Sequence, residues 1–128
     1  MSQLARYIDH GQGIFYAKEP LSFFGPEDVA FVLAQARRAS TRRARICAHQ
    51  SPDSPQHVML IGICQDSFLI PQCHLGRSET LSVLQGRGRQ VIFDESGAVT
   101  HVVALAPPGA DSEFFCNMPA SVFRSEEH

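Results

Sequence analysis

The stretch PQCHLGRSETLSVLQG, Pro71 to Gly86, decides how this chain is read. Taken as a strand, a short turn at LGRS and a returning strand, it sets Gln72 and His74 on one face and turns Cys73 to the other, because alternate side chains of a strand point the same way. Glu79 opens the returning strand and shares its face with Leu81 and Val83. Two side chains on one strand facing a carboxylate on the next can converge on one cation, through imidazole nitrogen and carboxylate oxygen. Only His74 and Glu79 are good ligands here.

Outward from this block the period stays short. RICAH, HVMLIGIC and SFLIP precede ETLSVL, and RQVIF, VTHVVAL and EFFCNM follow it. Between these runs lie the turn-forming stretches SPDSP, LGRS, GRG, DESG and APPGAD, rich in residues that favour reversals. Six or seven short strands at this spacing predict an antiparallel sandwich or barrel rather than an alternating β-α sheet. The apolar run Gly13–Ala17, GIFYA, reads as an added edge strand. One segment differs: in FGPEDVAFVLAQARRAS, Val29, Val32, Leu33 and Ala36 recur at helical spacing, with Pro26 suited to the first turn and Glu27 and Asp28 beside it. A helix over Pro26–Ala39 is expected.

The chain has 128 residues, enough for one ordinary core. With 44% apolar and 19% charged residues it can offset the entropy of ordering that core. Its formal charge of −2 argues against a nucleic-acid binder, since such domains are usually basic. Arg37, Arg38, Arg42, Arg43 and Arg45 nevertheless gather close together, the first two where cations complement a helix C-terminus. An anion-binding role for the cluster is the other reading. Four separated cysteines form no C-x-x-C pair, and no run approaches a membrane span. A cytoplasmic protein with reduced thiols, without membrane or nucleic-acid partners, is the expectation.

The opening block resembles the first motif of cupins: H-x-H, four residues, glutamate, six residues, glycine. His74, Glu79 and Gly86 keep those intervals, whereas Gln72 stands where the first histidine would. PASVFR, Pro119 to Arg124, resembles the second motif, P-x-G-x-x-H, with Ser121 in the glycine place and Arg124 in that of the last histidine. An amide oxygen is a poor substitute for imidazole, and a guanidinium keeps its charge and offers no lone pair. The segments RICAHQSPDSPQHVMLIGI and RSETLSVLQGRGRQVIFDESGAV are in turn similar to the WbuC group of cupin-fold proteins, found with bacterial surface-polysaccharide synthesis. The resemblance spans roughly Phe24 to Arg124.

It implies a mainly β fold: an antiparallel double-stranded β-helix, the cupin jelly-roll barrel, with one N-terminal amphipathic helix. A single cupin-like domain over 1–128 then comprises an N-terminal segment and helix (1–44) and a barrel (45–128) that stops soon after the second motif. The short end leaves an edge to be covered by the N-terminal strand or by a second copy in a homodimer. The implied metal site is degraded: His74 and Glu79 hold a weakly bound divalent ion (zinc, iron, manganese or nickel) or none, and Arg124 is available to pair with Glu79. Arg45 and His49, whose positions are polar in that group, with Gln72 and Arg124, form a ligand-binding set for a small polar or anionic molecule such as a sugar derivative. Polar side chains facing water are the plainer reading of the first two.

The function expected is therefore small-ligand binding linked to surface-polysaccharide or sugar metabolism. A metal-dependent carbohydrate-modifying enzyme of the isomerase or epimerase type is the alternative, in which Glu79 or His49 moves protons. A non-catalytic assembly module is a third. No residue is assigned as catalytic by sequence.

Overall fold

The computed structural model describes residues 6–67, 76–120 and 123–127 of the chain. Among these it is mainly β, with nine strands and one helix. The chain divides into two compact units, Met1–Ser67 and Phe68–His128, each taken here by itself.

In the first unit, β1 (Tyr7–Asp9) and β2 (Ile14–Ala17) form an antiparallel hairpin; α1 (Pro26–Arg38), β3 (Arg43–Cys47) and β4 (Met59–Ile63) follow. The sheet order is β1-β2-β3-β4. β3 and β4 are antiparallel, but β2 and β3 run parallel, with Phe15 opposite Ile46. Parallel neighbours need a long crossover, and α1 supplies it. This corrects the expectation of purely antiparallel pairing, and GIFYA is an internal strand rather than an edge. Its composition explains the place: Phe15, Tyr16 and Ala17 are all buried, as a strand flanked on both sides requires.

The helix begins where the sequence places it. Pro26 occupies the first turn, where its missing N–H costs nothing, and the Asp28 carboxylate accepts the Gly25 N–H at 2.7 Å. Asp28 also bridges Arg6 at 3.3 Å, which lets a carboxylate lie almost fully buried at the helix start. Val32 and Ala36 pack with Tyr7, Phe15, Ala44 and Ile46 to form the core, with Phe24, Phe31 and Leu60 against it. Gly62 on β4 permits that approach: a Cβ there would stand 3.0 Å from the Val32 carbonyl oxygen. Beyond the helix, Arg42 takes a left-handed φ of 59°, donates to the Arg37 carbonyl and reaches both Asp66 carboxylate oxygens at 3.1 Å.

In the second unit, β5 (Glu79–Ser82) pairs antiparallel with β8 (Phe115–Met118). A separate three-stranded antiparallel sheet runs in the order β7-β6-β9, formed by Val99–Leu105, Gly88–Phe93 and Phe123–Glu127. The β6–β7 turn is held by Asp94, whose Oδ1 accepts from the N–H groups of Ser96 (2.9 Å) and Ala98 (3.0 Å). The β6–β7 hairpin thus lies, in sequence, inside the β5–β8 pairing. Among the described residues these strands make no closed barrel.

Candidate functional site

β9 places Arg124 opposite Ile92 on β6, and opposed residues share a face of a sheet. Gln90, two residues from Ile92 and fully buried, lies on that face as well, in line with Val103 and Leu105 of β7. On the other sheet Glu79 sits opposite Met118 and Leu81 opposite Cys116. Met118 is buried, and Thr80, Ser82 and Asn117 on the reverse face are exposed.

The two sheets meet through charge. The Arg124 guanidinium donates through Nη2 to Glu79 Oε2, and the arginine side chain is 7% exposed against 36% for the glutamate. A cation that cannot lose its proton has thus been carried into the second unit and neutralised there by a carboxylate. Chemically it ties up a Glu79 oxygen and sets positive charge beside that carboxylate. Gly86, at the end of the motif, adopts a φ of +81°, a conformation L residues rarely take.

Gln72 and His74, expected to face the same point, lie outside the described residues, as do Cys73 and Ser121. Among the described residues no group of three or more histidine, cysteine, aspartate or glutamate side chains is arranged to hold a metal ion.

Arg45 and His49 belong to the first unit, Glu79 and Arg124 to the second. Arg45 and Cys47 alternate along β3, and the Ala48 N–H to Val58 carbonyl bond continues the ladder toward His49. The Val58 N–H donates to His49 Nδ1 at 3.2 Å, and the ring stacks on His57 at 4.2 Å with planes 9° apart. His57 Nε2 lies 3.0 Å from the Pro52 carbonyl, which fixes it as a donor. Tyr16 on β2 sets its ring edge-on to His49 at 5.7 Å, and His10 packs on Tyr16 at 4.5 Å. Burial lowers the His49 pKa first of all, with His57 and Arg45 adding to the effect against the Val58 carbonyl. Burial likewise pushes the Cys47 thiol up, so a Cys47–His49 nucleophilic pair is disfavoured. Of this group the sequence singled out Arg45 and His49; it missed Tyr16, and in the second unit Gln90. A lone glutamine inside the apolar run RQVIF was the available signal for the latter.

The arginine cluster is spread over several tasks. Arg37 and Arg38 lie in the last helical turn, and Arg42 is engaged by Asp66. With Leu33, Ile63, Cys64 and Gln65, Arg37, Arg42 and Asp66 line an open cleft.

These features define a β-rich chain with one crossover helix, a buried ion pair in one unit and an imidazole-arginine cluster in the other. The chain belongs to the family described as Domain of unknown function (DUF6016), whose model matches residues 25–105, from the start of α1 to the end of β7. No curated protein and no solved structure matches it. No helix among the described residues is long and apolar enough to cross a membrane.

Proposed function

We propose that the chain is a small-ligand-binding protein of cupin type, similar to the WbuC group, in which an ion pair has taken the place of a metal centre. The observation that carries the reading is the Arg124–Glu79 pair: the residue in the last-histidine place is a buried cation, and its partner is the motif glutamate. The nesting of β6–β7 within β5–β8 supports it, because a jelly roll is a folded antiparallel ribbon whose outer strands pair after its inner ones.

The ligand is a small polar molecule, a sugar or sugar derivative, bound by Arg124 and Glu79 together with Gln72 and His74. Gln90 adds an amide to the same face. The site suits hydroxyl groups, which both donate to a carboxylate and accept from a guanidinium.

Two experiments test this. Protein purified without a metal-affinity column is expected to hold far less than one equivalent of zinc, iron, manganese or nickel; near-stoichiometric metal would favour the carbohydrate-modifying enzyme, with His74 and Glu79 as ligands. Thermal-shift screening against sugars and sugar nucleotides should give a hit in the unsubstituted protein that Arg124→Gln loses. A hit that Arg124→Gln keeps would place the ligand elsewhere.

A further inference from the structure

We propose that the first unit carries an oxyanion site, built from Arg45 and His49 with His57 stacked on the latter, that accepts a phosphate or carboxylate group. The inference is independent of the Glu79–Arg124 centre and stands whether or not that centre holds a ligand.

Arg45 is the first reason. Its Nε is shielded from solvent and has no hydrogen-bond partner among the described residues. Such shielded donors are nearly always satisfied, by protein, water or ligand. Each of the other arginines that pair with a described carboxylate, Arg6, Arg42 and Arg124, meets its partner within this chain. Arg45 and His49 share parity along β3 and its continuation, with Cys47 between them, and the charge of Arg45 disfavours a proton on the imidazole. A guanidinium beside two groups that cannot neutralise it is incomplete, and a planar oxyanion supplies the missing acceptors in matching geometry.

The histidines supply the rest. His49 Nδ1 lies 3.2 Å from the Val58 nitrogen and 3.3 Å from the Val58 carbonyl oxygen, so Nε2 is the ring atom left to offer, and on a protonated ring it is a donor. His57 spends Nε2 on the Pro52 carbonyl and keeps Nδ1. The near-parallel stack on His57 and the perpendicular contact with Tyr16 hold the His49 ring, so its Nε2 is oriented before a ligand arrives. The titratable or charged groups around it are Tyr16 from β2, Arg45 and Cys47 from β3 and His57 from the loop before β4, with His10 reaching Tyr16 from the end of β1. None of them is a carboxylate. An oxyanion is the ligand this setting favours, and it would draw a proton onto His49.

The test is an NMR titration of the histidine ring resonances with inorganic phosphate and, separately, with acetate. Either anion should shift the His49 and His57 signals saturably and raise the His49 pKa, since a ligand that prefers the protonated ring must by linkage make that ring harder to deprotonate. Phosphate acting alone identifies a phosphate group as the natural ligand chemistry, and acetate alone a carboxylate. Arg45→Gln should weaken binding about tenfold or more, and Arg45→Lys, which keeps the charge but loses the fork, by less. Ring signals unmoved by both anions at tens of millimolar would overturn the proposal, as would equal affinity in the unsubstituted protein and both Arg45 variants.

Discussion

Glu79→Gln strands a buried cation, and the structure gives the size of the effect. Removing one partner of a fully buried ion pair costs about 3–5 kcal/mol. Glu79 is 36% exposed on its side chain, so part of the pair is screened and the cost falls to the bottom of that range or below it, about 2–3 kcal/mol. Arg124→Met leaves the opposite situation. The carboxylate that remains is a third exposed and can take up water, so about 1–2 kcal/mol is expected. The double variant removes both charges and should lie near Arg124→Met, giving a coupling of about 2 kcal/mol. With urea slopes of about 1–3 kcal/mol/M for a chain of this size, Glu79→Gln should lower the unfolding midpoint by about 1 M. The ordering matters as much as the size. If the two single substitutions cost the same and simply add, the charges do not depend on one another, and the argument that Arg124 is held by Glu79 fails.

The remaining predictions concern metal, acid and packing. Gln72→His combined with Arg124→His should raise zinc affinity by about tenfold or more in isothermal titration, since it restores imidazole at both motif positions; no gain would mean that these strands are misaligned with the cupin motifs. His49 has a folded pKa below its ordinary value, so the unfolded chain binds its proton more readily and stability falls as pH drops through and below about 6.5. His49→Gln should flatten that part of a urea-midpoint profile between pH 7 and 5, and an unchanged slope would contradict the assignment. Gly62→Ala presses a methyl group against the Val32 backbone and should cost about 1–3 kcal/mol by chemical denaturation; a neutral result would show that α1 can lift from β4.

The helix could be read from FGPEDVAFVLAQARRAS because its apolar spacing, its proline and its terminal charges all agree, and the observed Pro26–Arg38 differs from the expectation by one residue. VTHVVAL and RQVIF were legible as strands for the same reason. FRSEE was not: its pairing to β6 depends on an arginine and glutamates, which no periodicity marks as strand. The parallel β2–β3 pairing was also hidden, since a short apolar run states that a strand is buried but not whom it meets. Of the candidate site, the resemblance to the cupin motifs was what related Glu79 to Arg124, two residues that the sequence separates widely. Asp28 shows the limit of such reasoning. As an acidic residue in a first turn it reads as exposed, whereas its bonds to Arg6 and Gly25 carry it inside.

The place of α1 between two parallel strands bears on how the first unit assembles. Each flank of its sheet is an antiparallel pair that forms by a local reversal, whereas the seam between β2 and β3 must wait until the whole intervening segment has doubled back. The two halves can therefore form early and remain apart. The helix decides when they become one sheet, and amides along Phe15–Tyr16 should acquire protection from exchange later than those within either reversal.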